Sequence, residues 1–550
     1  MKKVFFLFVT ALLIISCKEE APTVKFKKYD ETAELLEQQK HSNKRMQLKL
    51  IQSKFLDMNA VFAPFKEDLA GFTDEDYNEL KPLVLEQDIP TLQANVTKGK
   101  LSYEKLTLFY LYRIRKFESD STKSLNSIIA LNPNVLNEAR QKDKERKKNS
   151  EYSIFGMPIL LKDNINTNDM PTTAGAIALA ENKNTNDAFI VEELRKNGAL
   201  ILGKANLSEW AYFFCSGCPV GYSAVGGQTL NPYGRKVFET GGSSSGSGVT
   251  VAANFAVAAV GTETSGSITS PSSQNSVVGL KPTIGALSRS GIVPISSTLD
   301  TPGPMTKNVI DNAIFLEAMF GFDVKDDASV DMHFGKKDFQ NQLFEDNSLK
   351  GKRFGVLKGL LSDSIYNATI EKMKKAGAEM IEINPERARF VGFTTLLNID
   401  MKHDLPNYLA NNADNNVTVK SVEDVTLFNL KDSILRAPYG QQLFDGIVKD
   451  NTTLEELEVV KDNLQTVGQT FLQDLFDKEL DAILSINNYH SGVSAVAEYP
   501  TFTVPMGYKN NGEPISLTFI GKPFSERTLL KVGYAFEQLT KARKTPKNYK

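Results

Sequence analysis

Apolar residues recur at helical spacing through residues 30 to 60, where Leu35, Leu36, Met46, Leu48, Leu50, Ile51, Phe55 and Leu56 punctuate a charged background. That period predicts an amphipathic N-terminal extension. The same spacing returns from Leu101 to Phe117 through Leu106, Phe109, Tyr110, Tyr112 and Ile114, and predicts a scaffold helix. From Tyr152 the pattern changes to short apolar runs broken by glycines: Met157 to Leu161, Gly198 to Leu202, and Phe255 to Val260. Buried strands alternating with helices fit these runs. Residues from about 310 to 480 are more helical and more charged, and separate the glycine-rich part from a last strand-rich part. Strand-like runs then return at Leu480 to Ser485, Phe502 to Pro505 and Ile515 to Phe519, before an amphipathic helix from Ser525 to Arg543. No repeat and no long low-complexity linker divides the chain, which favours one α/β unit with a helical appendage.

The first residues carry an address. Lys2 and Lys3 precede an apolar run that ends in Leu13-Ile14-Ile15-Ser16-Cys17, the layout of a secretory signal. A small residue directly before cysteine resembles the bacterial lipoprotein cleavage box, so residues 1 to 16 are expected to be removed and Cys17 to carry the lipid. The polar stretch Lys18 to Thr23 suits a tether. No later apolar run is long enough to span a bilayer, so the mature body is expected outside the cytoplasm, held to a bacterial membrane through Cys17. In that setting Cys215 and Cys218 can form a disulfide. They do not make a zinc site, because His41, His333, His403 and His490 are scattered away from them.

With 41% hydrophobic and 24% charged residues among 550, the chain is neither disordered nor fibrous. A formal charge of -2 gives no electrostatic footprint for nucleic acid, which drops out as a partner.

The densest chemical anomaly is Gly241 to Gly248, followed by Gly261-Thr262-Glu263-Thr264-Ser265-Gly266-Ser267. Small residues allow close approach of backbone to a ligand, and successive N–H groups can converge on a negative oxygen. A flexible Gly/Ser linker is the plain alternative, but the apolar run Val249 to Val260 between the two clusters has to be buried. Gly242 to Gly246 also satisfies G-x-S-x-G, which makes an α/β-hydrolase elbow at Ser244 formally available, with a downstream histidine as base. Two further matches are weaker. Ser102-Tyr103-Glu104-Lys105 fits S-x-x-K without its companion motifs, and Gly198 to Lys204 fits a phosphate loop in spacing but has Ala205 where Ser or Thr should bind magnesium. Lys162 ends a buried apolar run. Desolvation there would favour its neutral amine and make it a base, whereas Asp163 would oppose this if it faced the same way.

Gly156 to Asp163, Thr172 to Gly175, Gly241 to Ser244, Gly266-Ser267-Ile268 and Gly279 to Thr283 together resemble the amidase signature family, and the flanking motifs look most like its peptide amidase branch. The resemblance runs from roughly Asp88 to Pro546. It implies a three-layer α/β/α sandwich with a large mixed central sheet, preceded by a helical N-terminal extension at residues 17 to 87. It further implies a carboxamide hydrolase without metal or organic cofactor: Ser267 as nucleophile, Ser243 as bridging serine, Lys162 as base, a cis peptide before Ser243, and backbone N–H groups of Thr264, Ser265, Gly266 and Ser267 as the oxyanion hole. The expected substrate is a peptide C-terminal amide or another small amide. Ser265 and Thr269 depart from the family pattern, which usually has Gly or Asp at the first position and often Arg at the second. These departures motivate a second reading, a non-catalytic lipoprotein that keeps the fold as a binding module. A third reading, the glutaminase-type subunit of a transamidating complex on tRNA, needs a cytosolic partner and conflicts with the export signal.

Overall fold

In a computed structural model that describes residues 24–146, 152–332, 348–386 and 388–550, thirteen strands form one large sheet and one small hairpin. Along the chain they are β1 (Ile128–Leu131), β2 (Pro158–Lys162), β3 (Leu200–Ala205), β4 (Tyr222–Ser223), β5 (Gly227–Gln228), β6 (Ala258–Glu263), β7 (Val278–Lys281), β8 (Thr301–Thr306), β9 (Arg353–Leu357), β10 (Glu379–Ile383), β11 (Ala482–Ile486), β12 (Thr501–Tyr508) and β13 (Pro514–Ile520). The large sheet has eleven strands in the order β1-β3-β2-β6-β8-β7-β12-β13-β11-β9-β10, and β4 pairs only with β5. It is mixed: β2 runs parallel to both β3 and β6, the strands from β6 to β11 pair antiparallel, and β11, β9 and β10 are parallel again. Helices cover both faces, giving the three-layer α/β/α sandwich.

The apolar runs became strands because they are buried on both sides. Every residue of β2, β3 and β6 is buried, the signature of a strand covered by helices above and below. The scaffold helix forms over Tyr103–Glu118, capped by Ser102, whose hydroxyl accepts the Lys105 N–H at 3.1 Å. That cap accounts for the S-x-x-K match. The phosphate-loop match runs through β3, and its Lys204 is buried against the Ile165 carbonyl (2.6 Å) and the Thr172 hydroxyl (2.8 Å).

The charged region 310 to 480 is mostly helical among the described residues, as expected, and also holds β9 and β10, which join the far edge of the sheet in parallel. Both are short, and β10 is largely exposed, so its Glu-Met-Ile-Glu-Ile sequence carried no buried run to announce a strand. One expectation needs correcting: the extension is only partly helical. Thr32–Gln38 is a helix, but Leu48 and Ile51 are buried in irregular backbone, where the Ile51 carbonyl accepts the Gln228 N–H (2.9 Å) and the Asn126 side-chain amide (3.0 Å). Tertiary pairing overrode the helical spacing. Leu48, Ile51, Phe62, Phe65 and Leu69 all join the main core. The expected signal peptide and lipid site Cys17 lie outside the described residues.

Candidate active site

Lys162 is the last residue of β2, and its neighbour β6 delivers Thr262 and Glu263 at the same end. Parallel pairing puts both strand termini on one edge, so a side chain leaving β2 meets the end of β6 at short range. The Lys162 amine lies 2.7 Å from the Ser243 hydroxyl, 2.7 Å from the Thr262 hydroxyl and 3.1 Å from the Thr262 carbonyl. It is wholly buried, and loss of hydration pulls its pKa down to about 7 against the opposing pull of Asp300 and Glu263. A neutral amine has two N–H donors and one lone pair. The carbonyl can only accept, and the Thr262 hydroxyl is placed to accept as well, which leaves the lone pair for the Ser243 O–H.

Asp163 does not interfere. It turns to the other side, accepting from the Thr173 hydroxyl and its N–H (3.2 Å) and lying 3.7 Å from the Lys204 amine. Its own carboxyl is pushed up to about 6 by burial.

Ser243 sits after a cis peptide, Gly242-Ser243, at the approach to the helix Ser245–Ala252. The glycine-serine run is therefore a packed wall. A Cβ on Gly246 would stand 2.3 Å from the Asn206 carbonyl oxygen, so only glycine allows the helix to seat against that backbone. Ser244, the alternative elbow serine, accepts the Thr262 N–H (3.1 Å) and donates to the Thr262 carbonyl (3.0 Å). Of the histidines, His490 hydrogen-bonds Ser485 (2.6 Å), His41 lies against the Val237 carbonyl (3.2 Å), and His333 is outside the described residues. No described histidine is hydrogen-bonded to Ser244, and the elbow reading falls.

Ser267 is 8% exposed, and its carbonyl accepts the Ser244 N–H at 3.1 Å, which ties the loop that carries it to the residue after Ser243. The loop is shaped by Glu263. One carboxylate oxygen takes the Gly266 N–H (2.7 Å), and the other takes the N–H groups of Ile268 (2.7 Å) and Thr269 (2.9 Å) and the Thr269 hydroxyl (3.0 Å). Gly266 adopts φ +84, the left-handed region that disfavours side chains. This corrects the expected oxyanion set: the Gly266 N–H is committed to Glu263 and is not free for an oxyanion. The N–H groups of Thr264, Ser265 and Ser267 donate to no atom among the described residues.

Thr269 hydrogen-bonds Glu263, so this departure from the family pattern belongs to the loop's support. The other departure, Ser265, lines a cavity of about 1070 Å³ with Arg389, Phe390, Phe393 and Val467. A second cavity, about 1130 Å³, is lined in part by Asn164, Thr262 and Thr264. The loop Thr264–Ser267 thus contributes Ser265 to one space and Thr264 to another, each large enough for a substrate. Cys215 and Cys218 are joined as a disulfide. Among the described residues no cluster of His, Cys, Asp and Glu is arranged to hold a metal ion. Thr262, Glu263 and Asp300 were not singled out by residue chemistry, although the first two stand inside the quoted Gly-Thr-Glu-Thr motif.

Residues 105–485 match the Amidase family model. The chain belongs to the amidase family. Among solved amidase structures, an amidase family protein from Bacillus anthracis str. Ames superposes with a TM-score of 0.85 at 40% identity, over 90% of this chain and 99% of that one. The native peptide amidase of Stenotrophomonas maltophilia follows at a TM-score of 0.78 and 37% identity, over 84% and 98%. A chain named "Probable amidase" from Arabidopsis thaliana is 35% identical over 479 residues, covering 84% of this chain and 92% of its own length. As an amidase, the protein hydrolyses amide C–N bonds.

Proposed function

We propose that this amidase is an exported, lipid-anchored enzyme that hydrolyses peptide C-terminal amides or other small carboxamides through an acyl-enzyme on Ser267. The observation that carries the reading is the buried amine of Lys162, 2.7 Å from the Ser243 hydroxyl and with its pKa pulled down to about 7 by burial. Lys162 takes the Ser243 proton while Ser243 takes that of Ser267, and the Ser267 oxygen adds to the amide carbon. Negative charge on the former carbonyl oxygen meets free N–H groups from Thr264, Ser265 and Ser267, an interaction for which loss of one donor typically costs about 10²–10³ in rate. The proton returns along the same path to the amide nitrogen, the C–N bond breaks, and ammonia leaves. Water then repeats the attack on the ester, and the carboxylic acid departs. Likeness to a peptide amidase supports the substrate class.

Export rests on Lys2, Lys3, the apolar run after them and Cys17, and the oxidised Cys215–Cys218 pair suits an oxidising compartment. Ser267→Ala abolishes ammonia release from amidated peptides and labelling by a fluorophosphonate, with circular dichroism unchanged. Full activity in that variant removes Ser267 from the mechanism. Absence of labelling in the folded wild type returns the protein to the binding-module reading. Radiolabelled palmitate enters the wild type and not Cys17→Ala; equal incorporation overturns the anchor.

A further inference from the structure

The cavity on the Thr264 side has a polarity that the hydrolytic machinery does not use. Among the described residues its wall carries seven carboxylates against two cationic side chains, Arg289 and Lys325. Arg289 is already committed: its guanidinium pairs with Asp326 (3.0 Å) and donates to the Ser297 carbonyl. Asp300 and Asp404, on the same wall, have no cationic side chain as partner among the described residues and are held by other donors. Asp300 accepts from the Thr264 hydroxyl and from the N–H groups of Ile295 (2.8 Å) and Ser296 (3.0 Å). Asp404, on the helix Phe393–Asn411, accepts the Ser297 N–H at 2.6 Å. Burial, together with the carboxylates of Asp400 and Asp300, pushes Asp404 up to about 6.

A second, independent observation points into the same space. Asn164 is 2% exposed and lines this cavity, and its Oδ1 has no hydrogen-bond partner. Its Nδ2 donates to the Thr262 hydroxyl (3.1 Å) and toward the Val293 carbonyl (3.4 Å). The carbonyl fixes this orientation, since turning the amide over would set two oxygens against each other. An acceptor this deeply buried and unpaired costs stability unless a ligand or water supplies a donor. Two carboxylates with no ion-pair contact of their own, which share only the through-space pull of an Arg289 already paired with Asp326, and one orphan acceptor together call for a group that is positively charged and rich in N–H. An alkylammonium is both.

We infer that this cavity receives the cationic end of the substrate, a protonated amine carried on the acyl part of the amide, with Asp404 and Asp300 supplying the counter-charge and Asn164 Oδ1 accepting an N–H. The inference rests on the amidase reading of the Ser267 site and narrows it: amino-acid amides and short amidated peptides with a free α-amine are preferred to N-blocked ones. Asp404 is then a specificity-determining residue, acting through binding and not through proton transfer.

The test compares leucine amide with N-acetyl-leucine amide, in the wild type and in Asp404→Asn and Asp404→Lys, with fluorophosphonate labelling as a check that Ser267 is competent. The wild type favours leucine amide by about tenfold or more in kcat/KM, with the difference carried mainly by KM. Asp404→Asn shrinks that ratio and Asp404→Lys inverts it. Equal kcat/KM for the two amides in the wild type, an unchanged ratio in Asp404→Lys, or labelled enzyme that cleaves neither amide overturns the inference while leaving Ser267 reactive. An unlabelled, inactive wild type overturns the amidase mechanism and this inference together.

Discussion

The amine of Lys162 meets Thr262 twice, at its hydroxyl (2.7 Å) and at its carbonyl (3.1 Å). Those two contacts use both N–H groups of a neutral amine and aim its remaining lone pair at Ser243. The Thr262 hydroxyl is held in turn by the Asn164 side-chain amide at 3.1 Å. Thr262→Val keeps the shape and removes the acceptor. We expect kcat to fall by roughly tenfold or more, on the order of one lost hydrogen bond to a buried group. The acid limb of the pH profile moves to lower pH, because the lost acceptor had favoured the ammonium more than the amine. A pH–rate profile of the variant checks both.

In the wild type the sign of the pH dependence follows from burial. The folded Lys162 pKa is depressed to about 7, so the active neutral amine dominates above that value and is lost below it. We expect kcat/KM to rise about tenfold per pH unit up to near pH 7 and then to level off. A profile flat from pH 5 to 9 contradicts an unprotonated lysine as base.

Glu263 shapes the loop through acceptors alone, taking three backbone N–H groups and one hydroxyl. Glu263→Gln replaces one of its oxygens with an N–H₂ that must face a donor. We expect the Tm to fall by several degrees and kcat to fall by about 10², in line with a displaced oxyanion donor. Unchanged kinetics in this variant would show that the loop holds its form without the carboxylate.

The partly exposed pair Arg543–Glu86 joins the end of the chain to the segment before the sheet, at 2.9 Å. Arg543 also donates to the Ser276 carbonyl at 2.7 Å. Burial alone would raise the Glu86 carboxyl, but the Arg543 guanidinium outweighs it and holds the pKa at about 2. A depressed carboxylate contributes stability that is full above its ordinary value near 4.5 and is lost as pH falls toward 2. Arg543→Ala is expected to cost about 1 kcal/mol, since the Glu86 side chain keeps a third of its surface in water and still accepts from the Asn254 amide, and to flatten the acid side of the stability curve. Urea titrations at pH 7 and pH 4 measure both effects.

What could be read from the sequence divides along physical lines. β2, β3 and β6 were legible because burial on both faces demands an unbroken apolar run, and a lysine at the end of such a run is conspicuous. Ser243 and Ser267 stood out within glycine-rich turns whose spacing matched a family pattern. The contacts of Lys162 with Thr262, and of Asn164 with the same hydroxyl, were not legible. They depend on the parallel register of β2 against β6, which brings together residues about a hundred positions apart. Glu263 looked like an ordinary charged residue, because its partners are backbone groups that leave no mark in side-chain composition. The segment around Ile51 was misread as helical, since its partner is the hairpin near Gln228, which no local period reveals.

That same segment decides where the protein can be shortened. Ser53 donates to the Val225 carbonyl at 2.5 Å, and a Cβ on Gly227 would stand 2.5 Å from the Ser53 nitrogen, so the strap around Ile51 is wedged against the hairpin and shares its support with the catalytic wall. A chain begun at Lys25 keeps this wedge. One begun at Asp88, where the family resemblance starts, strips Leu48, Ile51 and Phe65 from the core and leaves a greasy, unsupported flank.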